Sequence, residues 1–204
     1  MMDVYNSTEI TAKKTSMEMA QIYHQLIKKA SSLICYEYYP FIQFVEACGD
    51  SLMFIHSPEL MLPLDDIFIE VLCFSLKLTE KLNKYLKAFD VYIRCGISYG
   101  NVTGGIIDGK TMRWFGKPIH KAARLESICQ KDHVVLDDVV YEKICENNRN
   151  IFDTNSIKKE IISLKGLGDS LVYQVNKDDI MDSYISFMRP SASITSRSSN
   201  EFFL

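Results

Sequence analysis

Apolar and polar positions divide the chain into alternating strand and helix signals. Thr15-x-x-Glu18 has the form of a capping box, and Met19, Ile22, Tyr23, Leu26, Ala30 and Leu33 follow at helical spacing. That spacing predicts a helix whose apolar stripe packs on a sheet. Tyr36 to Val45 is aromatic and β-branched with Pro40 inside it, so it reads as a strand interrupted or bulged at the proline. Gly49-Asp50 marks a turn, and Ser51 to Ile55 forms a second strand. Pro63 is expected to open another helix, with Asp65 and Asp66 favourable near its N-terminus. Val71, Leu72, Leu78, Leu82 and Leu86 give that helix its stripe. Val91 to Ser98 alternates and runs into Gly100, which fits a strand ending in a turn, and Val102 to Ile107 reads as another strand. Asp108-Gly109 is a hairpin signal, because that turn needs positive φ. Trp114-Phe115-Gly116 leads through Pro118 into a helix on which His120 and Arg124, four apart, share a face. Val134 to Leu136 is a short strand, and Asp137 or Asp138 caps a helix over Val139 to Ile144. A polar loop from Glu146 to Asn155 follows. Ile161–Leu164 and Leu171–Val175 flank Lys165-Gly166-Leu167-Gly168-Asp169 as a closing hairpin.

The order β-α-β-β-α-β before the later elements predicts an α+β chain with a ferredoxin-like sheet and helices on one face. One domain over residues 1–176 is expected, then a polar, flexible tail over 177–204, serine-rich from Ser191 to Asn200. A length of 204 residues supports such a domain with its own core. The net charge of −3 argues against nucleic acid or an anionic membrane as main partner. No apolar run approaches the ~20 residues that span a bilayer, and the N-terminus lacks a signal-peptide layout. The six cysteines show no C-x-x-C spacing, and the four histidines no metal-ligand spacing. The cysteines read as small core residues of a cytoplasmic, reducing compartment.

A strand, a glycine-rich approach and a helix projecting a cation suit a phosphorylated ligand. Residues 91–127 contain Arg94-x-Gly96-Ile97-x-x-Gly100-x-Val102-x-x-Gly105, then Phe115-Gly116, then Ala122-x-Arg124-Leu125-Glu126-Ser127. In that order the run resembles the catalytic core of class III nucleotidyl cyclases. Asp3-Val4-x-x-Ser7-Thr8 and Glu46-x-x-Gly49-Asp50-x-x-Met53 resemble the family's two metal-binding stretches. The resemblance covers residues 1–176. It implies a ferredoxin-like βαββαβ core of the class III cyclase type with extra C-terminal strands and helix.

It also implies a set of roles. Asp3, Val4 and Asp50 form the metal site, holding two Mg²⁺ or Mn²⁺ ions, hard cations that prefer oxygen ligands. Arg124 stabilises charge on the α-phosphorus, and Arg94 meets the triphosphate. Ser7 and Thr8, with the amides from Tyr5 to Thr8, hold phosphate oxygens. Lys165 either reaches phosphate or is a solvated turn residue. His120 stands where the family has a ribose-orienting asparagine. The family's sites lie across a head-to-tail dimer, so a chain carrying both halves implies a homodimer with two interface sites.

Two positions choose the base. Four residues before the second aspartate stands Glu46, an acceptor; three before the glycine of Phe115-Gly116 stands Arg113, a donor. The pair fits CTP, UTP or GTP better than ATP, since adenine has no carbonyl. A soluble chain of this kind resembles the bacterial pyrimidine cyclases of Pycsar anti-phage systems, which make cyclic CMP or cyclic UMP. Two alternatives stand beside it: an adenylate or guanylate cyclase of ordinary signalling, and an inactive cyclase-homology binding domain. A diguanylate cyclase lacks support, because Cys48-Gly49-Asp50-Ser51 is not a G-G-[DE]-E-F motif.

Overall fold

A computed structural model describes residues 1–5, 7–34, 42–56, 64–107, 109–147, 151–152 and 157–180. The elements run β1 (Met2–Val4), α1 (Ser7–Lys13), α2 (Ser16–Leu33), β2 (Ile42–Cys48), β3 (Ser51–His56), α3 (Leu64–Leu86), β4 (Ile93–Ile97), β5 (Thr103–Ile107), β6 (Thr111–Phe115), α4 (Lys117–Ser127), β7 (Val134–Asp137), α5 (Asp138–Asn147), β8 (Lys158–Leu164) and β9 (Gly168–Val175). Seven strands form one sheet in the order β2-β3-β1-β4-β7-β9-β8. Its first four strands, with α2 and α3 between them, are the ferredoxin-like βαββαβ unit. β4 and β7 run parallel, while the other neighbours are antiparallel. The fold class expected from the sequence is therefore the fold observed.

Local signals account for several boundaries. Thr15 caps α2: its side chain accepts from the Glu18 amide, and Glu18 accepts from the Thr15 amide, closing the capping box. Asp137 caps α5, its Oδ1 accepting from the Val140 amide at 2.8 Å. This resolves the choice between Asp137 and Asp138. Gly49 takes a φ of +63° in the β2–β3 turn, where a side chain is disfavoured. The expected strand residues 36–41, the helix-opening Pro63 and the serine-rich tail lie outside the described residues. Past Val175, a turn capped by Asn176 carries the chain to buried Ile180, which bridges to Phe152.

The side-chain period of two gives the sheet two differently covered faces. Ile93 and Cys95 of β4 and Val134 and Leu136 of β7 join the main core with Leu26 of α2, Leu72 of α3 and Ile144 of α5. On the opposite face Val135, Val172 and Leu164 pack with Leu125 and Cys129 under α4. The expectation that all helices share one face thus fails for α4. The reason is Gly96 of β4, above which α4 lies so close that an added Cβ would sit 2.3 Å from the Ala122 carbonyl oxygen. A glycine in a strand commonly marks this kind of backbone approach. β5 and β6 leave the sheet as a separate two-stranded ribbon, on which Ile106, Met112 and Phe115 are exposed.

Candidate active site

β1 lies between β3 and β4, with Met2 opposite Leu52 on one side and Asp3 opposite Arg94 on the other. Met2 and Val4 are buried in the main core, so alternation sends Asp3 to the α4 face. Asp3 meets three groups there. Its Oδ1 accepts from Ser51 Oγ at 3.0 Å, its Oδ2 accepts from Arg94 Nη2 at 3.1 Å, and Asp50 approaches from the β2–β3 turn. Burial pushes the Asp3 carboxyl above the usual carboxylate range. The neighbouring Asp50 carboxyl adds to this, and Ser51 and Arg94 pull it back. Two carboxyls forced together disfavour double ionisation unless a cation joins them.

The donor set fits a divalent ion. Asp50 Oδ2 is buried and has no hydrogen-bond partner, an orphaned acceptor of the kind a cation satisfies. Among the described residues no cluster of three or more His, Cys, Asp or Glu could hold a metal. Two carboxylates with main-chain oxygen and nucleotide phosphates suit Mg²⁺ or Mn²⁺ better than a closed protein cage. Val4 has a buried side chain, so only its carbonyl could contribute.

Arg94 is engaged differently from expectation. Its guanidinium does not stand free for a triphosphate. Nη2 donates to Asp3, Nη1 donates to the Ser127 carbonyl at 3.3 Å, and Nε lies 2.7 Å from Glu126 Oε1. That last contact is an ion pair without an aligned N–H···O bond. The Tyr5 ring lies beneath the guanidinium, 5.4 Å away, and stacks on Tyr92. The cause is register: Asp3 and Arg94 are direct strand partners on one face. Glu126 is 6% exposed, and burial pushes its carboxyl up to about 7 against the pull of Arg94.

The remaining predicted residues fall into three groups. His120 and Arg124 are exposed on the outer face of α4, with Leu125 and Glu126 buried beneath. Arg113 is exposed on β6 opposite Gly105, and Lys165 is exposed in the β8–β9 turn. Glu46 lies in β2 opposite Met53, just past a register shift after Phe44; its side chain is outside the described residues. Ser7 and Thr8 sit in the first turn of α1. The Tyr5 amide donates to the Tyr92 carbonyl at 2.8 Å, so it is not available to phosphate as expected.

Within one chain the structure thus joins Asp3, Asp50 and Arg94. Among the described residues it shows no hydrogen bond or ion pair between the side chains of His120 or Arg124 and either aspartate. Ser51 and Glu126 join the site without being among the residues expected from the sequence. Glu126 could have been flagged as a charge beside Leu125 on the apolar stripe of α4. A cavity of about 570 Å³, lined by Phe54, Phe68, Phe74 and Trp114 among others, includes none of these site side chains. Among the described residues no helix is long and apolar enough to cross a membrane.

Residues 1–177 match the adenylate and guanylate cyclase catalytic domain. No curated protein matches the sequence. Among solved structures, the catalytic core of a rhodopsin–guanylyl cyclase with converted specificity, in complex with ATPαS, superposes with a TM-score of 0.69 at 20% identity. That match covers 88% of this chain and 93% of the other. The guanylate cyclase domain of RhGC from Catenaria anguillulae with GTP gives 0.66 at 20% identity, covering 86% and 92%. The adenylyl cyclase CyaB from P. aeruginosa gives 0.63 at 16% identity, covering 89% and 91%. At these identities the structural likeness speaks to fold.

Proposed function

The chain belongs to the adenylate and guanylate cyclase catalytic domain family and is a nucleotidyl cyclase, a lyase; we propose that its substrate is a pyrimidine nucleoside triphosphate, CTP or UTP, and that its cyclic product serves as a second messenger in anti-phage defence. The reaction is attack of the ribose 3′-oxygen on the α-phosphorus with loss of pyrophosphate. Little covalent chemistry falls to the protein, so positioning and charge stabilisation supply the rate. The observation that carries the cyclase site is the apposition of Asp3 and Asp50 with a buried, unsatisfied carboxylate oxygen. Asp3, Asp50 and the Val4 carbonyl are the groups to hold Mg²⁺ or Mn²⁺. The ions, when bound, lower the pKa of the attacking hydroxyl and neutralise the triphosphate.

The exposure of His120 and Arg124 on α4 supports a site completed by a second copy, each chain giving carboxylates to one site and the α4 pair to the other. The apolar ribbon residues Ile106, Met112 and Phe115 suit burial in such a homodimer. There Arg124 offsets charge on the pentacoordinate phosphorus, and a ring N–H of His120 orients the ribose in place of asparagine. Lys165, Ser7 and Thr8 are the proposed phosphate contacts. The domain is assigned to residues 1–176 and the activity to the cytoplasm.

Base choice rests on Glu46 and Arg113. Glu46 accepts from an amino or imino N–H, and Arg113 donates to a carbonyl; cytosine, uracil and guanine offer these and adenine does not. A guanylate cyclase is the second reading, because the same pair fits guanine and the RhGC relative is bound to GTP. Purified protein incubated with Mn²⁺ and each of ATP, GTP, CTP and UTP distinguishes them. Cyclic CMP or cyclic UMP is the expected product; cyclic GMP alone would favour the second reading, and activity confined to ATP would remove the pocket argument. Asp50→Ala is expected to abolish turnover. A neighbouring gene for a membrane or NAD-degrading effector that responds to the product would tie the enzyme to defence.

A further inference from the structure

Asp3 is paired with a cation of the chain itself. Arg94 occupies one oxygen of Asp3, the same carboxylate that the cyclase reading assigns to the metal. It is held from behind by Glu126 through Nε and by the Ser127 carbonyl through Nη1, both at the C-terminal end of α4. Glu126 contacts neither Asp3 nor Asp50 in any hydrogen bond or ion pair among the described residues. The side chains of Arg94, Asp3 and Glu126 are 17%, 16% and 7% exposed, so solvent screens these charges little. A guanidinium has five donors in a fixed fork, so it can release one partner and keep another.

We propose that Arg94 is an exchangeable counterion of the metal site: it neutralises Asp3 until a divalent cation takes that carboxylate, then turns its freed Nη2 toward the nucleotide's phosphates while Glu126 keeps it in place. Glu126 is on this account a positioning residue. The exchange explains how one arginine both pairs with Asp3 here and meets the triphosphate in the working enzyme. It also makes metal and triphosphate binding mutually supportive, since the metal frees the arginine that the phosphates use. The proposal rests on the cyclase reading above, and its test needs no turnover.

Two measurements on the nucleotide-free full chain decide it. Mn²⁺ affinity, read from the free-ion electron paramagnetic resonance signal, is expected to rise about three-fold or more in Arg94→Met, because no internal cation must leave. Equal or weaker binding by a cooperatively melting R94M overturns the proposal. In the wild-type chain labelled with ¹⁵N-arginine, saturating Mg²⁺ is expected to shift the Arg94 Nη resonances while the Nε–H resonance persists. Unchanged Nη resonances overturn it, and this second measurement decides alone if R94M does not fold. Failure here with cyclisation intact removes only the exchange; a chain that neither binds Mn²⁺ nor cyclises any nucleotide removes the cyclase reading itself.

Discussion

Each residue at this site works through the environment its neighbours create. His120 takes the position where the family resemblance expects asparagine, and the role proposed for it asks for a donor rather than for the ring. His120→Ala is expected to lower kcat by about 10²-fold with a smaller effect on KM, a typical loss for a transition-state donor. His120→Asn is expected to recover most of it, as steady-state kinetics at pH 7.5 would show. Glu126 yields a pH signature. Its folded pKa of about 7 lies above the ordinary 4.5, so its contribution to stability is fully present below about 4.5 and is lost as pH rises through 7. The shift corresponds to on the order of 3 kcal/mol. Glu126→Gln imitates the protonated form. Its Tm relative to wild type in metal-free buffer should be near zero difference at pH 4 and climb to a plateau above pH 7; a difference independent of pH would contradict this. Asp3 and Asp50 were legible in the sequence because short motifs fix them beside turns. The Arg94–Glu126 pair was not, because it depends on the strand register of β1 with β4 and on which face α4 covers.

At the scale of elements, the junction of β4 with α4 decides whether the site exists. A Cβ at Gly96 would meet the Ala122 carbonyl oxygen at 2.3 Å and the Glu126 amide at 2.4 Å, both backbone atoms that cannot rotate aside. Gly96→Ala should therefore lift α4, costing about 3 kcal/mol in urea unfolding and most of the activity. Unaltered activity would mean α4 is not held as described. A buried carboxylate tethers the other end of this junction. Asp137 accepts from Ser98 Oγ at 2.7 Å and lies 3.3 Å from Lys121 Nζ of α4, while capping α5. Helix periodicity revealed α2 and α3 directly, since each has one apolar stripe facing one core. It could not reveal that α4 covers the opposite face, because alternation in β4 and β7 is compatible with a helix on either side. The β6 strand was likewise only implied by the Asp108-Gly109 signal, since Thr111 to Phe115 has no clean alternation.

For the whole molecule, the separation of the two half-sites makes a prediction about pairs of dead enzymes. Asp50→Asn removes the carboxylate half and Arg124→Ala the α4 half, so each homodimer should be inactive. Mixed at equal concentration and allowed to exchange, half of the dimers are mixed and each has one intact site. About a quarter of wild-type activity should return; none would return if both halves acted within one chain. The order of assembly follows from where β1 lies. The strand that carries Asp3 precedes the other strands of its sheet in the chain, yet its place is in the middle of the sheet, between partners about 50 and 90 positions downstream. Such distant pairing is slow to form because a large loop must close first. On the ribosome the Asp3–Arg94 pair therefore stays unformed until β4 has emerged, and α4 follows within some twenty residues. The arginine that neutralises Asp3 and the helix that holds it from behind are thus acquired almost together.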